Sequence, residues 1–417
     1  MPRACSAYLA LSAAVITLLI GIPRDPAVAQ EPAAAPQPIA SPAPVGSAQP
    51  QMTVSERGVL LSWIERTGTH AVLKFAERTP SGWTEPKQVA AGSDWFVNWA
   101  DVPSVIRLAD GSIYGHWLQK SGASTYAYDV RLARSTDNGN TFSTSFTPHQ
   151  DGTQTEHGFA SLFQMPGAGL GLVWLDGRAM KSGGHDSHES GGEMSVRGAI
   201  YDRAGKQISE APIDLRVCEC CPTAIAVTAD GPIVAYRDRS PEEIRDIYVS
   251  RLVAGKWTTP GAVHADAWKI AACPVNGPAL SADGKQVAIA WFTAKNEEPH
   301  AYLAFSANSG TSFAAPIRLD DVGALGRVDV QLLGNGSALA TWIEFADGKA
   351  QFKSRRVESS GNKSAAFTVS SLGASRASGY PRMARFGNEV VFAWTETGDM
   401  PGVRAASMRL PVTSTAK

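Results

Sequence analysis

GVLLSW (58–63), SIYGHW (112–117), GLGLVW (169–174), GPIVAY (231–236), QVAIAW (286–291), SALATW (337–342) and EVVFAW (389–394) are seven copies of one pattern. Each is a short apolar run that ends on a large aromatic. The intervals between those aromatics are 54, 57, 62, 55, 51 and 52 residues. Self-similarity at a ~50-residue period is the mark of an array of β-units around an axis. The runs are too short and too often broken by glycine for helices.

Around each run the order repeats. A strand starts near a proline or small residue, as in Pro103-Ser104-Val105-Ile106-Arg107. A turn such as Ala109-Asp110-Gly111 follows, then the aromatic-ended strand, then a third strand such as 128–134, then a short closing strand. Four strands per unit make a propeller blade. The expectation is an all-β propeller of four-stranded blades with seven repeats, six blades being the alternative. The last unit lacks its outer strand, and the proline-rich segment before Met52 is available to supply it.

Composition agrees. Of 417 residues, 39 are glycine and 26 proline, 18% are charged, and 11 are tryptophan. That excludes a coiled coil and a disordered chain. A net charge of −1 gives no electrostatic footprint for nucleic acid or an anionic membrane.

A basic start, an apolar run over 7–22 and the small-x-small triplet Ala27-Val28-Ala29 read residues 1–29 as a signal peptide. Residues 30–50 read as a Pro/Ala-rich tether, 51–411 as the propeller and 412–417 as a tail. The expected location is secreted or periplasmic, with no membrane segment after signal removal.

Two turns carry a second signal. STDNGNTF (135–142) fits S-x-D-x-G-x-T-[FW], and SANSGTSF (306–313) is a degenerate copy. With the repeat, these motifs make residues 50–410 resemble the bacterial secreted sialidase-like (Asp-box, or BNR-repeat) propellers. In that family the Asp-box is structural and lies on the face opposite the active site. The resemblance implies a Tyr nucleophile with a Glu, an Asp acid/base and three arginines on a sialic acid carboxylate; Tyr380, Glu243, Asp101 and arginines such as Arg178, Arg237, Arg239, Arg245, Arg327 and Arg382 supply those types. The family's Arg-Ile-Pro motif is missing, and its nearest analogue, Asp101-Val102-Pro103, has Asp in place of Arg.

In a propeller the segments that lead into the inner strands, and the turns between second and third strands, share one face. At those positions stand Asp101, Arg178, Arg237, Asp238, Arg239, Tyr380 and Arg382, the expected ligand-binding set. The 237–246 turn is charge-dense, and a self-neutralising network is the other reading. A His-rich excursion over 183–189 is a further metal candidate or a solvated loop.

All four cysteines beyond the leader fall at equivalent positions of two successive units, Cys218, Cys220 and Cys221 in one and Cys273 in the next. Three readings stand. One is a disulfide, for which Cys220 and Cys221 are awkwardly adjacent. Another is a soft-metal site for Cu(I) or Zn(II), with His157 from the preceding unit as a nitrogen ligand. The third is a redox thiol. The functional expectation is a propeller that holds a metal, small-molecule or glycan ligand at this mouth; the alternatives are a sialidase-type exo-glycosidase and a non-catalytic scaffold.

Overall fold

The second strand of each unit is apolar at nearly every position because it is buried on both faces. In Gly58–Thr67, Gly169–Asp176 and Glu389–Glu396 the six positions that lead up to the aromatic are almost entirely buried. A sheet sandwiched between neighbours requires this pattern, and alternation is lost. The computed structural model describes Met1 and residues 35–167, 169–180, 192–373 and 375–411. The expected leader beyond Met1, the tail and the 183–189 excursion lie outside the described residues.

Seven antiparallel sheets form the blades. Blade one runs Ser47–Ser55, Gly58–Thr67 and His70–Thr79, with outer strands Gly82–Trp83 and Lys87–Gly92. Blade two has Ser104–Arg107, Ile113–Lys120 and Tyr128–Ser135, with Phe146 bridging to Leu132 at the outer edge. Blade three has His157–Met165, Gly169–Asp176, Ser195–Tyr201 and Gln207–Asp214. Blade four has Ala224–Thr228, Gly231–Arg237 and Ile247–Val253, with two short outer strands. Blade five starts at Ala279–Asp283, blade six at Ala324–Leu332 and blade seven at Arg382–Phe386. The inner strands neighbour one another all round the axis.

The ring closes as the incomplete last unit implied. Gln37–Ile39 pairs antiparallel with Gly402–Arg409 and becomes the outer strand of blade seven. Part of the stretch read as a tether is therefore strand, and blade one begins at Ser47 rather than 51. The count is seven blades, not six. The helical turns described, Lys295–Glu297 and Arg376–Ser378, are single 3₁₀ turns.

The terminal tryptophans do more than fill space. Trp63, Trp174 and Trp342 are fully buried, and each indole N–H donates to an acid two residues on: Glu65 at 2.9 Å, Asp176 at 2.8 Å and Glu344 at 2.9 Å. Trp-x-acid thus satisfies the one polar atom that a buried indole carries.

The Asp-box turns fold as their chemistry dictates. Asp137 accepts the amides of Asn140 and Thr141 and the Thr141 hydroxyl, while Ser135 accepts the Gly139 amide at 2.8 Å. Gly139 sits at φ +80°, open to glycine. Asn308 and Ser306 repeat the arrangement around Ser312 and Gly310. These turns follow third strands, so they lie at the end of the ring away from the segments that lead into the inner strands.

Candidate functional site

Residues 217–223 bring blade four's chain to its inner strand. The Cys218 amide donates to the Arg237 carbonyl at 2.9 Å, which fixes this segment against the end of the second strand. It then turns so sharply that three sulfurs meet. Cys218 Sγ lies 3.4 Å from Cys221 Sγ and 3.8 Å from Cys220 Sγ, and all three residues are buried. None of the four cysteines is in a disulfide. Cys273, half-buried in the segment that leads to blade five, packs against the same cluster.

A cation is built in beside the thiols. Arg245 Nη1 donates to Cys218 Sγ at 3.2 Å and to Glu219 at 2.9 Å, and its Nη2 donates to Glu243 at 2.9 Å. Arg239 pairs with the same two glutamates. Burial alone would push the Cys218 thiol up. Hydrogen bonds from Cys220 and Cys221, with the Arg245 charge, outweigh it and hold Cys218 well below the usual thiol range. Burial, then the neighbouring Cys218, drives Cys220 and Cys221 up. The pattern is one depressed thiol beside two raised ones, all three buried.

The charge-dense turn is thus a network that serves the thiols. Arg237 is fully buried and spends its guanidinium on the carbonyls of Asn276, Arg245 and Phe292, over the Trp268 ring. Asp238 is half-buried, and burial with the nearby Asp214 charge raises its carboxyl to about 7.

Other expected ligand residues lie elsewhere at this face. Tyr380 donates to the Val275 carbonyl at 2.5 Å and stacks on Trp99, over which Arg327 lies. Together with Phe159 and the cysteines these aromatics fill the mouth. Tyr380 and Arg382 are the members of the expected set that line the channel, a space of ≈ 830 Å³. Asp101 is wholly buried; it accepts the Phe159 amide at 2.8 Å and the Tyr128 hydroxyl at 3.2 Å, and burial first, then Glu156, raises its carboxyl to about 8. Arg178 is held by Asp176 and Glu210.

His157 is placed away from the sulfurs. Its ring stacks on His149 at 3.8 Å between centroids, and its two nitrogens face Asp129 and Asp151. Among the described residues three groups have metal-ligand spacing: the sulfur set Cys218–Cys220–Cys221, and two that share His157, Asp129–His149–His157 and Asp151–His157–Asp176. Sequence reasoning missed His149, Asp129 and Asp151. Asp-x-Thr at 151–153, an Asx-type turn, is the one local signal for any of them.

No family model and no curated protein matches the chain. Solved structures do resemble it. Polysaccharide lyase Uly1 superposes with a TM-score of 0.53 at 12% identity, over 89% of this chain and 91% of that one. A protein of unknown function from Dyadobacter fermentans DSM 18053 gives 0.51 at 12%, over 91% and 99%. The phage phi92 endosialidase gives 0.50 at 8%, over 92% and 70%. At these identities the likeness is one of β-propeller fold.

Proposed function

We propose that this protein binds a soft metal ion through Cys218, Cys220 and Cys221, with Cu(I) ahead of Zn(II) and Cys273 available as a fourth sulfur. The observation that carries the reading is three buried sulfurs, two of them 3.4 and 3.8 Å from the third, on a four-residue segment. Thiolate softness and a three-sulfur set suit Cu(I), and Zn(II) prefers four ligands in a tetrahedron. Arg245 offsets part of the negative charge such a set carries. The apolar run and Ala27-Val28-Ala29 support a secreted or periplasmic location.

The test is Cu(I) titration of the anaerobic protein against a competing chelator. One tightly held ion, lost in Cys221→Ser, is expected. Binding too weak to compete, or unchanged in that variant, overturns the reading.

A second reading is favoured by the fold shared with a polysaccharide lyase and an endosialidase, and by the wide channel. It is a glycan-acting propeller. It stands second because the arginines 178, 237, 239 and 245 are already engaged by this chain's own groups. Turnover of an aryl sialoside or a polysaccharide by pure protein would promote it.

A further inference from the structure

We propose that Cys273 is the entry thiol of the sulfur set: ligand-bound Cu(I) arriving from solvent is taken first by Cys273 and passed by sulfur-to-sulfur exchange through Cys220 to the buried pair Cys218 and Cys221. This deepens the Cu(I) reading above and rests on it.

The four sulfurs form a ladder graded by exposure. Cys218 and Cys221 are each 1% exposed and Cys220 6%, whereas Cys273 is only half-buried. The contacts run in the same order. Cys273 packs against the cluster and lies within hydrogen-bonding reach of Cys220. Cys220 Sγ lies 3.8 Å from Cys218 Sγ, and Cys218 Sγ lies 3.4 Å from Cys221 Sγ. Each step is thus short enough for two sulfurs to share one ion while it moves. A soft ion held by two or three thiolates can exchange them one at a time and is never without a sulfur.

Other approaches are closed. Pro222, Thr223 and Tyr380 line the central channel, and among the described residues no cysteine does. Another side of Cys218 is covered by Arg245, which Glu219 and Glu243 hold in place.

The segment around Cys273 is pinned at both ends. Upstream, the Ile270 amide donates to the Glu243 carbonyl at 2.9 Å. Downstream, Tyr380 donates to the Val275 carbonyl at 2.5 Å, and Arg237 donates to the Asn276 carbonyl at 3.0 and 2.8 Å. Between these anchors Ala271 and Ala272 are exposed. The thiol therefore stands where the chain meets solvent, beside two small side chains that leave room for a donor's ligand. Val275 sits at φ +48°, a left-handed backbone that a β-branched residue adopts only at a cost. Such strain persists where the surroundings enforce it, as at ligand clamps. Here the Tyr380 and Arg237 bonds enforce it and set the place of Cys273.

Copper stays Cu(I) at every step. One Cu–S bond forms as another bond to copper breaks, the incoming thiol releases its proton, and the outgoing sulfur regains one. Cys273 ends as a thiol again, so it speeds loading without joining the final three-sulfur set.

The experiment mixes reduced, metal-free protein with the Cu(I)–bicinchoninate complex in a stopped flow and follows the loss of the complex's visible absorbance. The same reagent at equilibrium gives the affinity. Cys273→Ser should load at least ~10-fold more slowly, about 1.4 kcal/mol on the barrier, with its final affinity unchanged. Release to excess chelator should slow by the same factor, because an entry thiol that is not a final ligand serves both directions. Cys273→Met keeps a soft sulfur and should restore most of the rate, which a merely structural role for the thiol would not do. Unchanged loading in Cys273→Ser, a methionine variant as slow as the serine one, or an affinity that falls along with the rate overturns this inference and leaves the three-sulfur site standing. A wild-type protein that takes up no Cu(I) overturns both.

Discussion

The sulfur cluster of blade four and the imidazole–carboxylate cluster between blades two and three sit at the same end of the ring but solve the problem of buried charge in opposite ways. The first is saturated. Cys218 has two thiols and a guanidinium on it, and Glu219 and Glu243 tie that guanidinium and Arg239 together. The second is unsaturated, with nitrogens and a carboxylate oxygen left without partners. A saturated cluster carries its own counter-charge and can hold one thiolate in the absence of an ion. In the second the compensation comes from the imidazole: against burial, Asp129 and Asp151 raise His157 to about 9. The two should therefore respond differently to substitution.

The largest difference is expected at Arg245. Arg245→Met removes a buried cation, leaves Cys218 without its guanidinium and leaves Glu219 to Arg239 alone, at a cost of about 3–5 kcal/mol in denaturant unfolding. The thiolate should also be lost, so Cys218 alkylation at neutral pH should slow. A stable Arg245→Met protein with unchanged alkylation would erase the contrast.

Next is Asp151→Asn, which removes one of the carboxylates that face the imidazole pair. The His157 imidazole, now raised to about 9, should titrate lower by NMR, while Cu(I) affinity stays constant. Loss of Cu(I) affinity would mean the clusters are one site.

Asp101 stands outside both clusters, so it bears least on the contrast although its own pH effect is sizeable. Its folded carboxyl titrates near 8, above its ordinary 3.8, because burial disfavours the charged form. The folded state thus holds a proton that the unfolded chain releases. Its stabilising share is complete below pH ~4 and is lost as pH rises through 8, with a slope approaching about 1.4 kcal/mol per pH unit. Asp101→Asn should flatten that slope in urea melts between pH 4 and 8, leaving the share of Asp238, raised to about 7. An unchanged slope would place Asp101 outside the pH response.

How far the chain could be read follows the same division. The blades were legible because each second strand is buried on both faces and must be a continuous apolar run ending at a fixed aromatic. The closing strand at 37–39 was legible because blade seven ran out of chain. The sulfur set was legible because 218–221 is contiguous, so the turn alone decides its geometry. The imidazole set was not. Its members stand at 129, 149 and 157, and only the lateral spacing of two blades brings them together. His157 was grouped with the cysteines because both lead into inner strands; position along the axis is periodic in the sequence, and position around the ring is not. Arg237 misled for a related reason. Charge density marks a network, but it does not reveal that a guanidinium is spent on three backbone carbonyls. The Trp-x-acid pairs at 63, 174 and 342 were in plain view as a two-residue spacing, and the indole N–H of a buried tryptophan would have predicted them.

The central claim is that the three sulfurs are a metal set rather than a staple. Intact mass after alkylation of the purified, denatured protein, with and without prior reduction, decides it alongside copper content. For protein lacking residues 1–29, and so Cys5, the account predicts four alkylated thiols without reduction and one copper ion per chain when loaded anaerobically. Two fewer alkylated thiols before reduction, with no copper retained, would contradict it and make the cluster a disulfide.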